Sequence, residues 1–464
     1  MLCFFHARRP GKRDVAAVCL AALAAFLLWN HPDIQETALH TRIFLDDLFS
    51  GRFFQFYEDS MAMKTAYGYA NAAHYHIVFY LVCAVWDLPI YLAQKVFGEN
   101  DFVFMMWTKA LGVTAFALCG FAFKRLAARY LPDRDMQKAW APWLIWLCPA
   151  VFFGVLCMGQ YDSLCILVIL LALPYWIDGD LLRFALIMGV AMVFKMFALF
   201  LIIPLVLLRE KRLLRAAGYI AVSMWLYLPG LLLFRGRDGD AGFFNGLIAN
   251  RLFTSTLPAV GEPSVVLVGL ALLFVGCWCV RLSAQRMQQV MPWLCTAVFG
   301  WLFLFVQWHP QWLILLLPFL LLTALQAKNQ TLWWWMQLIL NCGFFILIAY
   351  QYPGQLESNL FDFGLLGQLG LLVSAQEAVR NSTVYFNLLP YLSQLAPVAF
   401  CAPILAAILG QFPGAKGPLA DRLAGGQVAC PPMPIPVYGI FAGSFGIWWL
   451  MPVLFGWCKT MGVL

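Results

Sequence analysis

Four short stretches set reactive side chains against long apolar runs. The first follows the opening apolar run and is acidic, carrying Asp33, Glu36, Asp46 and Asp47. A loop carboxylate above a membrane face can act as a general base toward an acceptor hydroxyl. The second is Met158-Gly159-Gln160-Tyr161-Asp162-Ser163, an amide and a carboxylate between two apolar runs. Its plainer role is a helix-end turn with Asp162 as the N-cap. The third is Lys195, inside Val193-Phe194-Lys195-Met196-Phe197. An ionisable residue at membrane depth is costly and marks a site, unless it only pairs with a neighbouring carboxylate. The fourth is Gln307-Trp308-His309-Pro310-Gln311-Trp312. Pro310 suits helix entry, whereas His309 and Gln311 add hydrogen-bonding groups. Gathered around one cavity, the four would supply a base and a cationic, donor-rich set. That equipment suits moving a group off a phosphate: a base activates the acceptor, and donors stabilise the departing charge.

The elements that must position these groups are membrane helices. Of the 464 residues, 63% are hydrophobic and only 11% charged, against about 25% charged in a soluble domain. Unbroken apolar runs such as Phe197–Leu208 and Leu313–Leu322 lack the alternation of barrel strands. The expected fold is therefore all-α and polytopic, with about 11–13 transmembrane helices of ~20 residues. Apolar segments lie near 15–29, 102–123, 139–157, 163–177, 184–208, 216–234, 263–280, 290–307, 311–325, 331–350, 387–409 and 433–457. The 14 cysteines are scattered among them without a CxxC pair, which suits packing residues rather than zinc or disulfides.

Charge orients the set. Arg8, Arg9, Lys12 and Arg13 precede the first run, which has no convincing cleavage site and reads as an uncleaved span with a cytoplasmic N-terminus. The Lys124–Lys138 and Arg209–Arg215 clusters, with Arg281, Arg286, Lys328, Lys416 and Arg422, belong on the same side. Two segments must then not cross. Segment 75–97, interrupted by Trp86-Asp87-Leu88-Pro89, is expected at or dipping into the outer interface. Segment 184–208, with Lys195 near its middle, is expected to enter and return as a broken hairpin. The acids, including Asp33, Asp87, Asp162, Asp238, Asp240, Glu262 and Glu357, then collect outside. The expected division is 1–30 for the N-terminus and first span, 31–101 for an exterior loop, 102–350 for a core and 351–464 for a C-terminal part. No soluble domain is expected at either end, and no inverted repeat is visible. Within the loop, Thr41 to Tyr57 reads as an amphipathic helix stopping near Gly51, then an aromatic strip.

In the order of these motifs, the first ~325 residues resemble the GT-C membrane glycosyltransferases that use polyprenyl-phosphate sugars. The likeness is greatest to bacterial relatives of the GPI mannosyltransferases and extends to the dolichyl-phosphate-glucose glucosyltransferases. It rests on an acidic first exterior loop, Gly159-Gln160-Tyr161-Asp162, and Phe194-Lys195 with an apolar run to Pro204. Arg235-Gly236-Arg237-Asp238, Asn250-Arg251 and His309-Pro310-Gln311-Trp312 follow. The resemblance implies inverting transfer of a hexose to a lipid-linked or cell-surface glycan, at the exterior face of what would be a bacterial inner membrane. It implies a catalytic acid soon after the first span. Glu36 sits nearest that position, Asp46 and Asp47 are of the usual type, and Asp33 stands behind them. Lys195, His309 and Arg251 become candidates for the donor phosphate, and Gln160, Asp162 and Gln311 for the sugar or acceptor pocket. Some branches use a divalent metal, although no ligand set here compels one.

Two other readings stay open. A polysaccharide polymerase would use diphosphate-linked oligosaccharides and exterior arginines such as Arg235, Arg237 and Arg251. A flippase or transporter would need charges reaching both sides, whereas here they crowd the exterior half. After about residue 350, only a Gly- and Pro-rich linker, Gln411–Pro436, and a chance sequon, Asn381-Ser382-Thr383, stand out. Nothing points to nucleic acid.

Overall fold

The computed structural model describes residues 8–67, 72–131, 134–236, 251–258, 261–327, 329–352, 363–370, 383–413 and 433–446. Arg237, Asp238, Asp240, Asn250, Lys328, Glu357, Lys416, Arg422, Asn381, Ser382, most of the Gln411–Pro436 linker and the end of the last expected span lie outside them. Among the described residues the structure is helical, with a single isolated bridge between Thr256 and Ser264. The described cysteines are free thiols.

Helix α1 (Lys12–Leu28) meets α2 (Pro32–Phe49) at a bend of 74°. Pro32 fixes the first turn of α2, and His31 Nδ1 accepts the Asp33 backbone N–H at 3.2 Å as its N-cap. As expected, α2 stops just before Gly51, whose φ of +72° reverses the chain. A 3-10 turn (Phe53–Gln55) and α3 (Phe56–Tyr67) carry the aromatic strip. Phe53 and Tyr57 each lie 5.3 Å from the buried Phe234 ring, which docks this loop on the core.

Helix α4 (Ile77–Phe97) is continuous. It runs unbroken through Trp86-Asp87-Leu88-Pro89, because a proline two turns from a helix end can be tolerated where neighbours take up the freed groups. Asp87 is fully buried against Thr108 of α5 (Asp101–Ala128), whose hydroxyl donates to it at 2.9 Å. By length and composition α4 is able to cross a membrane.

The 139–157 run is divided into α6 (Asp135–Trp146), α7 (Pro149–Phe152) and a π turn (Phe153–Cys157), with a 43° bend. Then α8 (Asp162–Asp178) ends at Gly179, a left-handed cap. The expected hairpin comes next. Helix α9 (Leu181–Phe194) rises from an Asp180 cap, the backbone extends at Lys195, and α10 (Ala198–Arg209) descends. Arg209 donates to the Ile177 carbonyl at 2.6 Å, so both legs end beside the end of α8.

Beyond lie α11 (Leu213–Ser223) and α12 (Tyr227–Leu233), bent by 55°, and then α13 (Val265–Cys279) and α14 (Ala284–Phe305). A second 3-10 turn (Pro310–Leu315) leads into α15 (Leu317–Gln326) and α16 (Gln330–Gln351). The short α17 (Leu365–Gln368), α18 (Thr383–Gly410) and α19 (Ile435–Gly446) complete the described helices. Among the described residues, five helices are long and apolar enough to span alone, or up to eight counting each bent pair as one. Several further apolar runs fold as shorter helices that meet at breaks inside the bundle. The chain is a helical membrane protein, and these breaks carry its polar residues.

Candidate active site

Three breaks and one loop converge. At the top of α7 the π turn ends, and Gln160 is held by its backbone N–H donating to Gly154 O at 3.1 Å. Single π turns recur at functional sites because they re-aim the side chains beyond them. Gly159 makes the turn with a φ of +74°. Gln160 is 1% exposed, and its Nε2 donates to Asp33 Oδ2 across 2.8 Å. The first turn of α2 and the α7–α8 connection are thus joined by one hydrogen bond.

The next residues bring in the α9–α10 tip. Lys195 Nζ lies 3.0 Å from Asp162 Oδ1, and both side chains are buried. Asp162 begins α8 without acting as its cap; Tyr161 holds the cap position and makes no side-chain cap bond. Its carboxylate serves the lysine instead. The ammonium also donates to the Tyr75 hydroxyl at 3.2 Å and sits 4.9, 5.9 and 5.6 Å from the Tyr75, Tyr161 and Trp312 rings. Ring faces stabilise a desolvated cation where water is excluded.

Trp312 joins the break between α14 and α15 to this group. Its ring meets His309 edge-on at 5.1 Å and lies 5.8 Å below the Arg251 guanidinium. Arg251 donates to Gln307 O at 3.3 Å, and no carboxylate pairs with it among the described residues. Gln311 is buried, with Oε1 lacking a hydrogen-bond partner. Its turn packs so tightly on the π turn that a methyl at Gly154 would come within 3.1 Å of Gln311 Cα.

The electrostatics separate roles. Burial pushes the Asp33 carboxyl up, but the His31 hydrogen bond and charge, Gln160 and His309 outweigh it and hold it below its ordinary value. Asp33 therefore stays ionised at neutral pH. Burial, then the charges of Arg251 and Lys195, push the His309 imidazole down to about 4. His309 is thus a neutral hydrogen-bonding group at pH 7, rather than a cation.

The site therefore unites Gln160, Asp162, Lys195, Arg251, His309 and Gln311. Of the three favoured acids, Glu36 lies one turn along α2 from Asp33. Asp46 is 13 residues from Asp33, about 20 Å along a helix. It accepts from Tyr91 at 2.6 Å and pairs with Lys95 at 3.2 Å. Asp47 pairs with Arg52 at 2.8 Å. Both lie at the end of α2 away from Asp33 and do not reach the cluster. Sequence reading ranked Asp33 last, although its place beside a helix-starting proline directly after the first span was a usable signal. Tyr75 and Trp312 were missed as site residues, since one aromatic among so many carries no distinguishing pattern. Among the described residues no group of three or more His, Cys, Asp or Glu side chains could hold a metal ion.

Residues 82–211, from the middle of α4 to the end of the lysine hairpin, match the family model described as alpha-(1->6)-mannopyranosyltransferase, N-terminal domain. The chain is a membrane glycosyltransferase. It is similar to the GT-C mannosyltransferases over that stretch, which holds Gln160, Asp162 and Lys195 of the site. No curated protein matches the chain. A glycosyltransferase needs a sugar donor and an acceptor, and the site offers the Asp33 carboxylate joined through Gln160 to the turn that leads into the buried Asp162–Lys195 pair.

Proposed function

We propose that this glycosyltransferase moves a hexose, mannose in the first instance, from a polyprenyl-phosphate donor to a lipid-linked or cell-surface glycan with inversion. Asp33, as base, takes the proton of the acceptor hydroxyl. The freed oxygen attacks the anomeric carbon opposite the phosphate; the bond from that carbon to the phosphate oxygen breaks and polyprenyl phosphate leaves. Arg251, which pairs with no carboxylate among the described residues, receives the phosphate, aided by Lys195 and by a neutral hydrogen bond from His309. Gln160, Asp162 and Gln311 shape the sugar and acceptor pocket. Glu36 borders it. The reaction takes place at the exterior, periplasm-like face, since the acids gather on the side opposite the basic clusters.

The observation that carries this reading is the Gln160–Asp33 hydrogen bond at 2.8 Å, which joins the Asp33 carboxylate to the turn just before Asp162, the partner of Lys195. The test is transfer by the purified protein in lipid nanodiscs, given labelled polyprenyl-phosphate sugars and an acceptor-lipid extract. Asp33→Asn is expected to lose transfer by about 10²–10⁴-fold, the usual scale for a general base, while Asp46→Asn keeps it. Full transfer by Asp33→Asn would remove the base assignment. Transfer only from diphosphate-linked oligosaccharides would favour the polymerase reading.

A further inference from the structure

A second buried lysine stands behind the site. Lys109, in the middle of α5, is 1% exposed and forms no ion pair among the described residues. A buried ammonium without a carboxylate needs good acceptors to justify its place. It has two: Nζ donates to Phe26 O at 2.7 Å and to Trp29 O at 2.6 Å. These are among the last carbonyls of α1, the negative end of that helix, where a cation is favoured. Phe26 also lends its ring face at 5.0 Å.

The contact falls at the 74° corner between α1 and α2. Two residues after Trp29, His31 caps α2, and Asp33 follows in its first turn. The Lys109 stem meets the other half of the site as well. A methyl on Gly159 would come within 3.3 Å of Lys109 Cγ and of Ile34 Cβ and Cγ2. The next residue after Gly159 is Gln160. One side chain thus grips the corner that carries Asp33 and abuts the turn that carries Gln160.

We propose that Lys109 is a positioning residue for transfer, fixing the α1–α2 corner against the Gly159–Gln160 turn so that the Asp33 carboxylate stays in register with the Gln160 amide. The inference rests on the reading of Asp33 as base. Lys109 touches no substrate and acts only through that hydrogen bond.

The test uses the full chain in nanodiscs, with Lys109→Met, which keeps the stem and removes the ammonium. A displacement of the base by about 1 Å costs on the order of 100-fold, so kcat is expected to fall by that much with donor KM unchanged. The acidic limb of the kcat–pH profile should move to higher pH, because Gln160 helps hold Asp33 low. In a Gln160→Leu background, Lys109→Met should cost little more, since the register is already lost. A raised KM with kcat intact, an unmoved pH limb, or full multiplication of the two losses would each overturn the proposal. If Lys109→Met does not accumulate, Gly159→Ala carries the test through the same three readings. Full transfer by Asp33→Asn would sink the base assignment together with this role. A dead Asp33→Asn beside an unaffected Lys109→Met would sink the lysine alone.

Discussion

At the scale of the residue, the site is held by one buried ion pair and one neutral histidine. Lys195 and Asp162 lie 3.0 Å apart, 7% and 1% exposed. Removing one partner of such a pair strands the other charge, at a cost of about 3–5 kcal/mol. Lys195→Met and Asp162→Leu should each lower thermal stability in nanodiscs, whereas the double variant should regain most of it and still not transfer sugar. A fully active double variant would reduce the pair to scaffolding. His309 makes a pH prediction. Its folded value of about 4 lies below the ordinary 6.5, so between those values the unfolded chain binds more protons. Stability contributed here is present above pH 6.5 and declines toward pH 4. His309→Asn should flatten that decline in a melting series, and an unchanged slope would count against a buried neutral imidazole.

At the scale of the element, α2 is a strut whose two ends have different work. Its first turn presents Asp33, while its last two turns carry ion pairs: Arg42 to Asp101 at 2.6 Å, Asp46 to Lys95, and Asp47 to an Arg52 that also approaches Asp59 at 3.3 Å. Burial, followed by the hydrogen bond and charge of Asp59, raises Asp47 to about 6. A raised carboxyl favours the folded loop below its unfolded value and loses that advantage as pH rises through about 6. Asp47→Asn mimics the protonated form, so it should keep full transfer and make the loop less sensitive to protease above pH 6. Loss of transfer would return Asp47 to the list of bases. The π turn is the second such element. Gly154→Ala sets a methyl 3.1 Å from Gln311 Cα, and it should impair transfer more than it impairs melting. Equal effects on both would mean the turn is only structural.

At the scale of the whole molecule, the lysine hairpin makes a prediction about sidedness. Both legs end beside Ile177 and Gly179, so Arg183→Cys and Arg212→Cys, in a cysteine-free chain, should be labelled by an impermeant maleimide from the same face. Gln35→Cys, exposed on α2, should be labelled from the opposite face. Labelling of Arg183→Cys and Arg212→Cys from different faces would mean that 184–208 crosses as one span.

Composition alone determined that this is a helical membrane protein, because 11% charge cannot clothe a water-facing surface. The run of motifs located the residues that matter at the breaks: Gln160, Asp162, Lys195, His309 and Gln311 interrupt apolar stretches, and polar groups there are expensive enough to need a reason. The hairpin at Lys195 was legible for the same cause. Which acid joins them was not legible. Asp33, Glu36, Asp46 and Asp47 share one helix and one chemistry, and only the 74° corner decides that the first turn meets Gln160 while the last turn meets Lys95 and Arg52. Lys109 stayed hidden because its acceptors are backbone carbonyls 80 or more residues away, which no local pattern records. The breaks were only partly legible for a similar reason: hydropathy measures how apolar a run is, whereas packing against neighbours decides whether it forms one helix or breaks to expose a polar end.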